Sequence, residues 1–105
     1  MLLTTIDRIP GKEITKVLGL VQGSTIRARH LGRDIMASLR NVVGGEIKDY
    51  TQMLTEAREL ALQRLVKEAE RLGADAVVGV RLATAQTMAG AAEVLAYGTA
   101  VRLSS

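Results

Sequence analysis

A pair of glycines, Gly44-Gly45, leads into an apolar periodicity that runs without interruption to Leu72 and stops at Gly73-Ala74, where a new pattern begins at Asp75. This join of a glycine break, a long helix and a returning strand constrains the fold more than any other feature of the chain. The spacing predicts a helix from about Asp49 to Leu72, with Asp49 as its cap and Gln52 as the reciprocal partner of a capping box. The apolar stripe of this helix does not run straight: Tyr50, Met53, Leu54, Ala57 and Leu60 define its first half, and Leu62, Leu65, Val66, Ala69 and Leu72 its second. At 100° per residue the stripe centre turns by roughly 100° between the halves. One flat sheet cannot cover both, so the expected partner is a curved sheet, or a sheet at one end and another subunit at the other.

On either side of the helix the chain reads as strand. Residues 2 to 5 suit a short strand, and Arg8-Ile9-Pro10-Gly11 a turn. From Glu13 to about Arg29 a long strand is apolar on both registers, with Ile14, Leu18 and Leu20 on one and Val17 and Val21 on the other; Gly19 and Gly23 mark a bulge or a close backbone approach. A shorter helix is expected over Leu31 to Val43, where Ile35, Met36, Leu39, Val42 and Val43 gather on one side and Gly44 ends the run. Strands from Asp75 to Thr87 and from Ala92 to Leu103 form an antiparallel pair through a turn at Met88-Ala91. In the first, Ala76, Val78, Val80 and Leu82 are assigned to one face, and Val77, Gly79, Ala83 and Ala85 around Arg81 to the other. The predicted class is α+β. Strands that are apolar on both sides need two covering layers, and a chain of 105 residues with one main helix has only one to offer. Self-association supplies the other.

The blocks Arg40-Asn-Val-Val-Gly44-Gly45-Glu46, Tyr50, Glu56-Ala57-Arg58 and Gly73-Ala74-Asp75, with Leu18-Gly19 before them and Tyr97-Gly98-Thr99-Ala100-Val101 after, resemble the YbjQ-like family over nearly the whole chain. These are small proteins of unestablished function that carry a heavy-metal-binding label. The resemblance implies a dodecin-like subunit in which an antiparallel sheet wraps a long helix, accompanied by a second, shorter helix. It also implies a homo-oligomeric ring, commonly a pentamer, and one domain covering residues 1–105. A metal-ion cofactor is implied by the family label alone.

Composition narrows the chemistry. The absence of cysteine removes disulfides, thiolate metal sites and cysteine nucleophiles, and agrees with a reducing cytoplasm. No segment approaches the roughly 20 apolar residues of a membrane span, and the N-terminus has no basic start followed by a long apolar run, so a cytoplasmic protein with no membrane partner is expected. The formal charge of +3 is dispersed, with only Arg27-Ala-Arg29-His30 clustered, and Tyr50 and Tyr97 are the only aromatic side chains; nucleic acid is not the expected partner.

His30 is the single imidazole, and one imidazole makes no metal site without carboxylates or symmetry mates; its ordinary reading is a solvated strand-end residue. Glu46 follows the two glycines, where its carboxylate suits the positive end of a helix. Arg40, Glu46, Tyr50, Arg58 and Asp75 form the candidate interface or ligand set. Their expected role is an ion-pair and hydrogen-bond network between helix, turn and neighbouring subunit, in which a partly buried Arg58 pairs with Glu46, Asp75 or another chain. Glu56, two positions from Arg58, points elsewhere on the helix. No Ser-His-Asp or Cys-His arrangement, phosphate loop or dinucleotide glycine motif is present. The leading expectation is therefore a homo-oligomeric binding or scaffolding protein with a small-ligand or metal-ion site between subunits. The alternative is an enzyme or metalloprotein whose site is assembled across the interface from Glu46, Tyr50, Arg58 and His30.

Overall fold

A computed structural model describes residues 1–28, 44–88 and 91–104, with the backbone alone at 27–28, 44–50, 86–88 and 91. In chain order the elements are β1 (Leu2–Leu3), β2 (Ile14–Ala28), α1 (Gly44–Arg71), β3 (Ala76–Met88) and β4 (Ala91–Leu103). Most boundaries fall within a residue or two of those predicted. The short helix expected over 31–43 and the tip of the β3–β4 turn lie outside the described residues. The start of the long helix differs: α1 is already helical at Gly44, which puts Asp49 inside the helix rather than at its cap.

The sheet has the order β1-β3-β4-β2. Neighbouring long strands are antiparallel, β3 with β4 as the sequence pattern predicts and β2 with β4 as the resemblance implies, while β1 adds a parallel edge beside β3, making the sheet mixed. The segment after β1 extends that edge, since the Gly79 amide donates to the Ile6 carbonyl at 2.8 Å and the Val80 amide to the Thr4 carbonyl at 2.9 Å. At its other end α1 closes tightly, with the Gly73 amide bonded to the Glu70 carbonyl and the Ala74 amide to the Ala69 carbonyl, both at 3.0 Å.

One sheet face carries the core. Val21 from β2, Val77 and Val80 from β3, and Val94, Ala96 and Ala100 from β4 pack on Ala57, Ala61, Leu65 and Ala69 of the helix. That helical line is an i, i+4 run, which at 100° per residue drifts by about 40° per step and about 120° from Ala57 to Ala69, in keeping with the turning stripe read from the sequence. The stripe read from the sequence included Ala57, Leu65 and Ala69 but not Ala61, which is completely buried. The small alanines let the helix come close to β2, and at Gly23 a Cβ would overlap the Ala61 carbonyl oxygen and the Leu65 amide nitrogen. Leu60, Leu62 and Val66 beside this line, and Met53 one step before it, are partly buried.

The faces of β3 also depart from strict alternation. Its register with β4 shifts between Val78 and Arg81, around Gly79 with φ of 63°. The bulge moves Val80 to the helix side together with Val77, while Ala76 and Val78 join Ile9, Val101, Ile14 and Leu103 in a small cluster on the opposite face. A second shift, between Val17 and Gly19 in β2, turns Leu18 toward the helix side.

The result is elongated, with principal extents of 55 × 21 × 16 Å and a radius of gyration of 17.3 Å. A compact chain of this length has about 13 Å. The accessible surface is 6884 Å², against about 5700 Å² expected from the mass of a compact monomer.

Candidate functional site

Among the described residues the face of the sheet away from α1 is covered only at one end, by the Ile9 cluster. Beyond it the strand register puts Leu20, Gln22, Ser24 and Ile26 of β2 in rows with Thr99, Tyr97, Leu95 and Glu93 of β4. Leu20 is 70% exposed, Ile26 65%, and Val17 on the same strand 63%. Tyr97 is also exposed. These side chains are bare because the only described helix lies on the other face, over β2 and β4.

A second concavity opens beside β3. Beyond Val80 this strand is not under the helix, so Leu82 is 44% exposed although its partner Ala96 is buried. Leu82, Val80, Leu62 and Leu3 line an open cleft of about 580 Å³ together with Thr4, Thr5 and Arg81. The Arg81 guanidinium donates to the carbonyl oxygens of Thr5 at 2.8 Å and Val80 at 2.9 Å, tying the chain after β1 to the bulge. Sequence reasoning saw Arg81 only as an interruption of a small-residue face, because the bulge that aims it was not foreseen. Across the molecule Arg64 makes a similar tie from α1 to β2, donating to the Ser24 carbonyl at 2.6 Å.

Of the set singled out from the sequence, the described side chains Arg58 and Asp75 do not meet within one chain. Arg58 is exposed rather than partly buried, and its guanidinium donates to the Thr55 hydroxyl at 3.2 Å. Asp75 stands beyond the opposite end of α1, about 20 Å along the axis by helical rise. Its Oδ2 accepts the Leu103 amide at 2.8 Å and its own amide donates to the Val101 carbonyl at 2.9 Å, so it fixes the open end of the β3–β4 pair, away from the turn. Glu56 accepts from the Gln52 amide at 3.4 Å and, as its helical position requires, does not pair with Arg58. The backbone of Glu46 and Tyr50 lies in the first two turns of α1, consistent with Glu46 at the positive helix end. Arg40 and His30 lie outside the described residues.

Among the described side chains the ion pair is Glu68 with Arg71, at 2.5 Å. The hydrogen bond from Arg71, reinforced by its charge, holds the Glu68 carboxyl below its ordinary range and raises Arg71 in return. Both groups face solvent one helical turn apart, which is stabilising geometry rather than a site. Among the described residues no group of three or more His, Cys, Asp or Glu could hold a metal ion. The chain has no cysteine, so no thiolate centre can form within a subunit. No helix of the described residues is long and apolar enough to cross a membrane.

A family model described as "Putative heavy-metal-binding" matches residues 1–104. A UPF0145 protein of Methanosarcina acetivorans is 62% identical over 103 residues, covering 98% of this chain and 97% of its own. Counterparts from Archaeoglobus fulgidus, at 60%, and Thermus thermophilus, at 58%, cover the same 98% of this chain and 95% and 90% of their own. A crystal structure of a protein of unknown function from the DUF74 family, from Pediococcus pentosaceus, matches the fold with a TM-score of 0.69 at 20% identity, over 99% of this chain and 98% of that one. On the family model and these relatives together, the chain belongs to the YbjQ-like family of UPF0145 proteins.

Proposed function

We propose that the protein is a homo-oligomeric binding or scaffolding module, a single domain repeated in a ring such as a pentamer, acting in the cytoplasm and holding small ligands where subunits meet. The observation that carries this reading is the bare apolar face of β2, where Leu20, Ile26 and Val17 are each more than 60% exposed. Covering one such side chain is worth about 1.5–3 kcal/mol, so three on one strand favour burial against another molecule. The surface of 6884 Å² adds support: it exceeds that of a compact monomer by about 1200 Å², the order of area that specific interfaces bury per chain. The small polar tie points Asp75, Arg64 and Arg81 are absorbed by backbone oxygens and amides within the chain, which favours binding and assembly over catalysis.

Mass determination by light scattering at micromolar concentration tests the reading. An oligomer is expected, and Leu20→Glu with Ile26→Glu should reduce its mass while the far-ultraviolet circular dichroism persists. A wild-type monomer with native secondary structure overturns it.

The description of the family model favours a second reading, a metal site between chains. Its donors would have to be His30 and carboxylates such as Glu46 from neighbouring copies, with Tyr50 and Arg58 beside them. In that case Zn(II) or Cu(II) raises the melting temperature saturably in the wild type and not in His30→Ala. No shift in the wild type with either ion removes it.

A further inference from the structure

The sheet has two unlike free edges. Among the described residues no strand pairs with the outer side of β2, Ile14–Ala28, or with β3 from Leu82 to Met88, beyond the reach of β1 and the segment after it. Unpaired strand edges are templates for other strands. The two lie level with each other across the sheet: Leu82 is in register with Ala96 and Gly23, and Met88 with Ala91 and Ala28. They also run in the same direction, because each is antiparallel to β4.

We infer that copies join head to tail, the outer edge of β2 in one subunit forming a parallel ladder with β3 residues 82–88 of the next. The inference rests on the homo-oligomer proposed above and assigns its edge-to-edge contact. A two-fold pairing of β2 with β2 would cover that edge but leave the β3 edge bare in every copy; the head-to-tail junction uses both at once. It is a heterologous contact, the kind that generates a closed ring when the rotation closes.

The flanks of α1 support the same arrangement. Arg64, bonded to Ser24 of β2, marks the flank that overhangs the β2 edge, and Met53 and Leu60 are half-exposed on that side. Leu62, which lines the cleft beside Leu3 and Leu82, marks the other flank, and Val66 follows it one turn later. With the sheets continuous, the Met53 and Leu60 flank of one subunit stands over the cleft of about 580 Å³ in the next. Each chain then supplies the cover that Leu62 and Leu82 of its neighbour lack.

The absence of native cysteine permits a clean test. Gln22 and Ser24 of β2 and Ala83 and Ala85 of β3 are exposed and point to the face away from α1. Single variants Gln22→Cys, Ser24→Cys, Ala83→Cys and Ala85→Cys, and the four β2/β3 double variants, are oxidised and run on non-reducing gels, with mass by light scattering in parallel. Within one chain β2 and β3 are separated by β4, about 9.6 Å for two strand spacings, too far for a disulfide. Expected is a covalent ladder closing at the ring number in at least one double variant, and no covalent dimer in the single variants. Self-linked β2 single variants overturn the inference in favour of a two-fold interface. Oligomeric mass with no link in any double variant overturns it as well, leaving self-association standing. A monomeric wild type overturns both.

Discussion

Gly23 decides how near the helix lies to the sheet. The missing side chain allows the backbone of α1 at Ala61, Arg64 and Leu65 to rest on β2, and the Arg64 carbonyl carbon would stand 2.8 Å from an added Cβ. Those neighbours are helix backbone and cannot turn aside, so Gly23→Ala forces the helix outward. The expected loss is about 1–3 kcal/mol, in the range of core overpacking, read from the urea midpoint; a variant within about 0.5 kcal/mol of wild type would contradict the close approach. The Glu68–Arg71 pair sets a second, smaller test. Because Arg71 depresses the folded-state carboxyl, the stabilisation is present above the ordinary glutamate range and is lost as pH falls through the lowered folded value. In Arg71→Ala the Glu68 carboxyl should titrate at higher pH, and an unchanged midpoint by NMR would mean that the pair does not form in solution. Gly23 was legible beforehand because a glycine inside an apolar strand has few roles. Ala61 was not, since alanine signals neither face nor surface by itself.

Among the elements, β3 separates what hydrophobic pattern can specify from what it cannot. The existence of β2, β3, β4 and the long helix and the limits of the three strands follow from periodicity and glycine stops, with Ala76–Met88 within one residue of its predicted span, whereas the start of the helix at Gly44 does not. The faces do not follow, because one residue in a left-handed conformation reverses alternation for everything after it. Gly79 is such a residue, and the reversal sends Val80 to the core and aims Arg81 at Thr5. For the candidate set, the separation of Arg58 and Asp75 along α1 was readable from helical rise, but the exposure of Arg58 was not. A side chain at position 79 meets open space, so only backbone strain opposes it. Gly79→Ala should therefore cost about 1–2 kcal/mol, and Gly79→Asn less, because asparagine tolerates the left-handed region. Equal losses in both variants, measured by chemical denaturation, would point to a steric cause instead.

For the whole molecule, a core built largely of valine and alanine leaves limited stability to a lone chain. Its largest completely buried side chain is Leu65, and α1 buries a line of three alanines around it. The apolar residues with most to contribute, Leu20, Ile26, Leu82 and Tyr97, remain at the surface. Their burial would occur only on assembly, so folding and association should be linked by mass action, and the melting temperature should rise with protein concentration. Scans from about 1 to 100 μM supply about 2.7 kcal/mol of linkage per mole of associating contact, which for a domain of this size corresponds to a shift of several degrees. The Leu20→Glu, Ile26→Glu variant should melt lower and lose most of the concentration dependence, because its subunits no longer gain from meeting. A wild-type melting temperature that is flat over this range, in a protein that light scattering finds monomeric throughout, would mean that the exposed strand is stable in water and that the alanine-lined core suffices.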